Sequence, residues 1–156
     1  MNDKEIYMQK AIDLSLESVK NGGGPFGAVI VKDGDVIAAS SNSVTSDNDP
    51  TAHAEVNAIR LATQKLGTFD LTGCEIYSSC EPCPMCLGAI YWAHIDKLYF
   101  ANTKADAKKI GFDDSFIYEE IATPYELRKV KTSQMMRESA IKAFESWQNK
   151  EDKIEY

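Results

Sequence analysis

The sequence predicts an α/β fold in a single domain. Three observations carry this: helical periodicity at the amino end, a hairpin of two β-like runs after it, and a strand, helix, strand succession mid-chain. Across residues 4–19 the apolar side chains Ile6, Met8, Ala11, Ile12, Leu14, Leu16 and Val19 recur at helical spacing, and Asn-Gly-Gly-Gly at 21–24 stops the pattern. Residues 27–31 and 36–40 read as strands. Between them Asp33-Gly34 is a two-residue turn signal, so the runs pair antiparallel.

Pro50 suits a first helical position, and alanine-rich periodicity from it to Leu66 predicts a second helix. Residues 74–78 read as a strand, Pro82 opens a third helix to about Ala93, and residues 97–101 read as another strand. Two strands joined through a helix lie parallel. From Asn102 to Pro124 the pattern weakens into short helical or irregular pieces, and residues 127–132 are a candidate for one more short strand. Ser133 can cap a last helix whose apolar face is Met136, Ala140, Ile141, Phe144 and Trp147, before a polar tail ending in Ile154-Glu155-Tyr156.

A chain of 156 residues fits one domain that buries roughly two-thirds of its unfolded surface. Hydrophobic residues at 44% and charged ones at 26% exclude a disordered or fibrous class. The formal charge of -7, with lysines and arginines dispersed, is the wrong sign for gripping a polyanion, so nucleic acid is not an expected partner. The amino end lacks the basic start and apolar core of a secretion signal, and no stretch approaches a membrane span. A cytoplasmic protein without a membrane partner is therefore expected. In a reducing compartment Cys74, Cys80, Cys83 and Cys86 read as metal ligands or buried thiols rather than disulfides.

Chemistry concentrates in two segments, Thr51-Ala52-His53-Ala54-Glu55 and Cys80-Glu81-Pro82-Cys83-Pro84-Met85-Cys86. His53 and Cys83 each come shortly after a proline, Pro50 and Pro82, at a predicted helix start, so both helix ends could point at one metal. Cysteines three apart share a helix face, so Cys83 and Cys86 can bind one tetrahedral ion as thiolates, favoured by the positive helix terminus. His53 supplies a third ligand, and three protein ligands leave a fourth position for water, as in catalytic zinc sites. Glu55, two residues on from His53, suits a proton shuttle beside that water. Two other readings use Cys80: an iron–sulfur site on Cys-x-x-Cys-x-x-Cys, or a closed structural zinc site of three cysteines and His53.

At these residues the chain resembles the cytidine deaminase superfamily, whose pattern joins His-x-Glu, Pro-Cys-x-x-Cys and an Asn upstream of the histidine, here Asn42. Residues 24–31, 48–55, 87–92 and 111–118 resemble its bacterial guanine deaminase branch, and the likeness extends over nearly the whole chain. That resemblance implies a three-layer α/β/α fold around a central mixed sheet of about five strands. It implies one Zn2+ per subunit on His53, Cys83 and Cys86, and Glu55 as the catalytic acid and base. The expected reaction is hydrolytic deamination of guanine to xanthine and ammonia. The alternatives are another amino-substituted base or nucleoside (guanosine, cytosine, a triazine) or adenosine in a tRNA loop. For the small-molecule base the resemblance carries over Phe26 as a stacking wall, Asn42 and Asp114 as hydrogen-bonding groups, Trp92 as a further aromatic wall, and Ala54. It also implies a homodimer in which a segment from about 130 to 156 is exchanged, taking Tyr156 to the partner's site. A non-enzymatic alternative, a structural zinc-binding dimerisation module, has no use for Glu55.

Overall fold

A computed structural model describes the whole chain, Met1–Tyr156, as two compact units, Met1–Ser115 and Phe116–Tyr156. The first unit opens with α1 (Asp3–Lys20), started by a reciprocal cap in which Asn2 Oδ1 accepts from the Glu5 N–H at 3.0 Å and Glu5 Oε2 from the Asn2 N–H at 2.8 Å. The expected hairpin follows as β1 (Gly27–Lys32) and β2 (Asp35–Ser41). Asp33 and Gly34 turn between them with φ of 51° and 86°, the left-handed pair that matches the twist of the flanking strands. On its other side β1 pairs antiparallel with β3 (Cys74–Cys80), and β3 pairs parallel with β4 (Lys97–Asn102), giving a mixed sheet of order β2-β1-β3-β4.

The sheet has four strands, not about five. Residues 127–132 join no strand: a 3-10 turn, Tyr125–Leu127, leads into irregular chain. Pro124 offers no N–H to a ladder, and Arg128 gives its guanidinium to the carbonyls of Glu120, Ile121 and Thr123 at 3.0 to 3.2 Å. Those bonds fasten the segment to the end of α6 (Ser115–Ala122) instead of extending it.

Helices cover both faces of the sheet, as the continuous apolar run Ala28–Val31 requires. Side chains alternate along each strand, so Val29, Val31 and Tyr77 meet α1 through Ala11, Met8 and Leu14. Ala28, Ile30 and Ile76 face the opposite layer, where Ala58 and Ala62 of α3 (Ala54–Leu66) and Ile90 of α4 (Pro84–Trp92) close the main core. Gly27 allows α1 to lie this close: a Cβ there would collide with the Ala11 carbonyl and stand 2.8 Å from Leu14 Cβ and 2.9 Å from the Ser15 nitrogen.

Both helices that bear the motifs start later than the prolines suggested. Pro50 lies in a turn closed by Asp49, whose Oδ1 accepts from the Thr51 N–H at 2.8 Å and whose carbonyl accepts from the Ala52 N–H at 3.1 Å. That turn follows a single helical turn, α2 (Val44–Asp47), and α3 begins only at Ala54. Pro84 rather than Pro82 takes the first position of α4. The residue before a proline is steered out of the helical region, so Cys83 stays extended at φ -67°, ψ 169° and becomes the N-cap.

After β4 the first unit ends with α5 (Lys104–Lys109), capped by Thr103 and Asp106, and the start of α6. In the second unit α7 spans Arg137–Gln148, starting four residues after Ser133. Met136 has φ 55°, a left-handed conformation that cannot sit inside a right-handed helix, so α7 starts beyond it. No helix is long and apolar enough to cross a membrane.

Candidate active site

β1 begins, and β2 and β3 end, at the same edge of the sheet: Gly27 is opposite Ser41, and Ala28 is opposite Ser78. The N-termini of α3 and α4 bring the motif residues together. His53 is the N-cap of α3 and Cys83 the N-cap of α4, yet neither side chain folds back to accept a helix N–H. They turn towards each other instead. Cys86, third residue of α4, completes the group: His53 Nδ1 lies 3.5 Å from Cys83 Sγ and 3.4 Å from Cys86 Sγ. All three donor atoms fall within 4.8 Å of one another.

These residues fit zinc. Tetrahedral coordination with Zn–S near 2.3 Å and Zn–N near 2.0 to 2.1 Å sets sulfur and nitrogen roughly 3.6 Å apart. The donor chemistry agrees as well. Cys83 is drawn down to about 4, first by a hydrogen bond from the Cys86 thiol and then by His53, while Cys86 is pushed up because its thiol donates to Cys83 and is buried. His53 is raised chiefly by its bond with Cys83. The two sulfurs share a proton beside the His53 ring, and a thiophilic cation held by these three residues would take its place.

Cys80 does not join the group. Its Sγ points to the Thr103 carbonyl at 3.7 Å, and burial pushes its thiol up to about 11. Both readings that needed Cys80 as a ligand lose it on this geometry.

Glu55 is the second residue of α3 and only 5% exposed. Burial raises its carboxyl above the usual carboxylate range. Its Oε1 accepts from the Ser78 hydroxyl at 3.0 Å.

Phe26 and Asn42, also named from the sequence, flank the same end of the sheet. Phe26 immediately precedes β1, and its carbonyl accepts from the Asn42 N–H at 3.1 Å. Their side chains flank Gly24, where a Cβ would lie 3.4 Å from both Phe26 Cδ2 and Asn42 Cγ. Asn42 Oδ1 accepts from the Val44 N–H at 3.1 Å, which fixes the amide with its NH2 turned the other way. Phe112 meets Phe26 edge to face at 5.0 Å, and Asp114, two residues on, has its carboxyl raised by burial and by the charge of Cys83. Ala54 is buried at the first position of α3, where the backbone N–H has no acceptor within the helix. Trp92 is not brought to this cluster by its own chain: it closes α4, roughly 12 Å along the axis from Pro84, and is 65% exposed beside Tyr91. Tyr156 ends the second unit, exposed.

Two supporting residues escaped the sequence reading. Asn57 of α3 donates through Nδ2 to Ser41 O at 3.0 Å, Ser43 Oγ at 2.9 Å and Ala52 O at 3.3 Å, tying the Asn42 segment to the approach to His53. The other is Ser78. Its signal was visible in outline, since Ser78-Ser79 places two hydroxyls in the buried end of β3.

Comparison with known proteins agrees with this geometry. Residues 1–102 match the family described as the cytidine and deoxycytidylate deaminase zinc-binding region. Guanine deaminase of Bacillus subtilis strain 168 is 52% identical over 153 residues, covering 97% of this chain and 98% of its own. A solved structure of guanine deaminase from Bacillus subtilis superposes with a TM-score of 0.94 at 52% identity, over 97% of this chain and 98% of that one. A tRNA-specific adenosine deaminase of Aquifex aeolicus is 42% identical over 98 residues, 63% of this chain and 65% of its own. With the family match over residues 1–102 and a relative 52% identical over 97% of the chain, the chain belongs to the cytidine and deoxycytidylate deaminase family and carries its zinc-binding region.

Proposed function

We propose that this protein is a guanine deaminase, hydrolysing guanine to xanthine and ammonia with one zinc ion per subunit. The observation that carries the chemistry is a buried acid, Glu55, beside a group of the donor types zinc takes, His53, Cys83 and Cys86. For the substrate, support comes from the extent of likeness: the guanine deaminase match spans 97% of the chain, whereas the tRNA adenosine deaminase matches span 63 to 72%. The formal charge of -7 also disfavours a tRNA substrate.

Zinc, when held by His53, Cys83 and Cys86, would supply Lewis acidity that makes water a competent nucleophile near neutral pH. Glu55 takes the proton that water loses on adding at C2 of guanine and delivers it to N3. It then carries the remaining hydroxyl proton to the amino group, which leaves as ammonia as the C2 carbonyl of xanthine forms. A carboxyl raised by burial is suited to this, because it can hold a proton between the two transfers. Phe26 stacks on the base, while the Asn42 amide, the Asp114 carboxyl and the Ala54 N–H contact its polar edge.

The reading includes a cytoplasmic homodimer. Leu127, Val130, Met135, Met136, Phe144 and Ile154 are each 68 to 77% exposed, more apolar surface than a 41-residue unit leaves to water without a partner. Tyr91 and Trp92 add an exposed aromatic pair on α4. In that dimer residues from about 130 to 156 are exchanged, Tyr156 enters the partner's pocket, and Trp92 walls a pocket across the subunit contact. The four free cysteines suit a reducing compartment.

The test is ammonia release by zinc-loaded protein from guanine, guanosine, adenine and cytosine. Guanine is expected to be turned over fastest. Faster release from another substrate overturns guanine and leaves deamination standing; no release from any of them overturns both.

A further inference from the structure

We infer that Ser78 is a positioning residue for the reaction, holding the Glu55 carboxyl at a set place relative to the cysteine loop. The inference rests on the assignment of Glu55 as proton carrier above.

Ser78 lies near the end of β3 and is 2% exposed, as is its neighbour Ser79. A hydroxyl buried this completely is costly unless bonded. Ser79 serves the sheet, accepting from the Gly27 N–H at 3.0 Å. Ser78, on the opposite face by strand alternation, serves the site: its Oγ is 3.0 Å from Glu55 Oε1 and 2.7 Å from the Cys80 carbonyl. One side chain therefore touches both halves of the centre. Glu55 comes with His53 on α3, and Cys80 stands three residues before Cys83 on the segment that leads into α4.

The Glu55 carboxyl also feels its own backbone N–H and the nearby Cys86 thiol. Cys86 as a zinc thiolate has no S–H left to donate. The backbone N–H moves with α3 and cannot fix the carboxyl relative to α4. Ser78 is neither a ligand nor part of α3, so its hydroxyl, whose one proton is shared between Glu55 Oε1 and the Cys80 carbonyl, references the acid to the other half of the site. Glutamate has three side-chain torsions, and proton transfer demands a heavy-atom approach of about 2.6 to 3.2 Å. A carboxyl released from Ser78 samples positions outside that range, which slows the transfers without changing how the base is held.

The experiment compares wild type with Ser78→Ala, Ser78→Thr and Ser78→Val, measuring kcat, KM and zinc per chain on the base the wild type turns over best. Thr and Val have the same shape, so that pair isolates the hydroxyl from volume. Ala and Val are expected to lower kcat roughly tenfold to hundredfold, the scale of losing a hydrogen bond to a charged group. KM should stay within about twofold and zinc at one per chain, with Thr restoring most of kcat. Equal kcat for Thr and Val overturns the inference. So does a parallel decline of kcat, KM and zinc content, or failure of both Ala and Val to fold while Thr folds, since either makes Ser78 a determinant of the fold. No turnover by the wild type overturns the deaminase reading and this inference with it; turnover by the wild type with Val equal to Thr overturns the inference alone.

Discussion

Replacing Glu55 by Gln separates proton transfer from metal binding and from folding. Glu55 is 5% exposed and packed at the start of α3, so a smaller residue would leave a void, whereas Gln fills the same volume. Its amide can still bond the Ser78 hydroxyl, now 3.0 Å from Oε1. The ligand group His53, Cys83 and Cys86 is untouched, so zinc is expected at one per chain. What Gln cannot do is take up a proton. Each general acid or base step is worth about 10² to 10⁴ in rate, and because one residue serves both transfers the two losses overlap rather than multiply. A fall of about 10³ or more in kcat follows, a barrier increase of about 4 kcal/mol. Ammonia release read beside metal analysis of the same preparation checks it, with thermal unfolding as the control for folding; burial of a neutral amide in place of a carboxylate should leave the midpoint equal or higher. Activity within tenfold of wild type would refute the role of Glu55, and loss of zinc in the Gln variant would refute its place outside the ligand set.

Two further outcomes test the frame around the acid. Cys80→Ala is expected to keep zinc at one per chain while Cys83→Ala loses most of it, because Cys80 Sγ is aimed at the Thr103 carbonyl and Cys83 Sγ at His53; equal zinc loss in both would restore a closed three-cysteine site. Gly27→Ala should cost about 2 to 3 kcal/mol in urea unfolding, since the added Cβ meets the backbone of α1 at Ala11 and Ser15, and an unchanged midpoint would show that α1 shifts freely.

Much of this protein was legible in local sequence. The amphipathic run of α1, the Asp33-Gly34 turn and the strand, helix, strand crossover each express a short-range preference that the tertiary structure had no reason to override. The donor group His53, Cys83 and Cys86 was readable because a metal centre demands particular side chains at particular spacings. Local signals failed where two compete or where the partner is distant. Pro50 and Pro82 both resemble helix starts, and only the Asp49 turn and the restriction that Pro84 places on Cys83 decide that α3 and α4 begin later, with His53 and Cys83 as N-caps. That displacement is what turns the two ligands outward to face each other. The absent fifth strand depends on Arg128 finding the α6 carbonyls, and the use of Ser78 on an acid 23 positions away. Spacing along the chain can state which donors a centre has. Their relative placement is a property of the sheet edge that brings β1, β2, β3 and two helix ends to one point, and only packing supplies it.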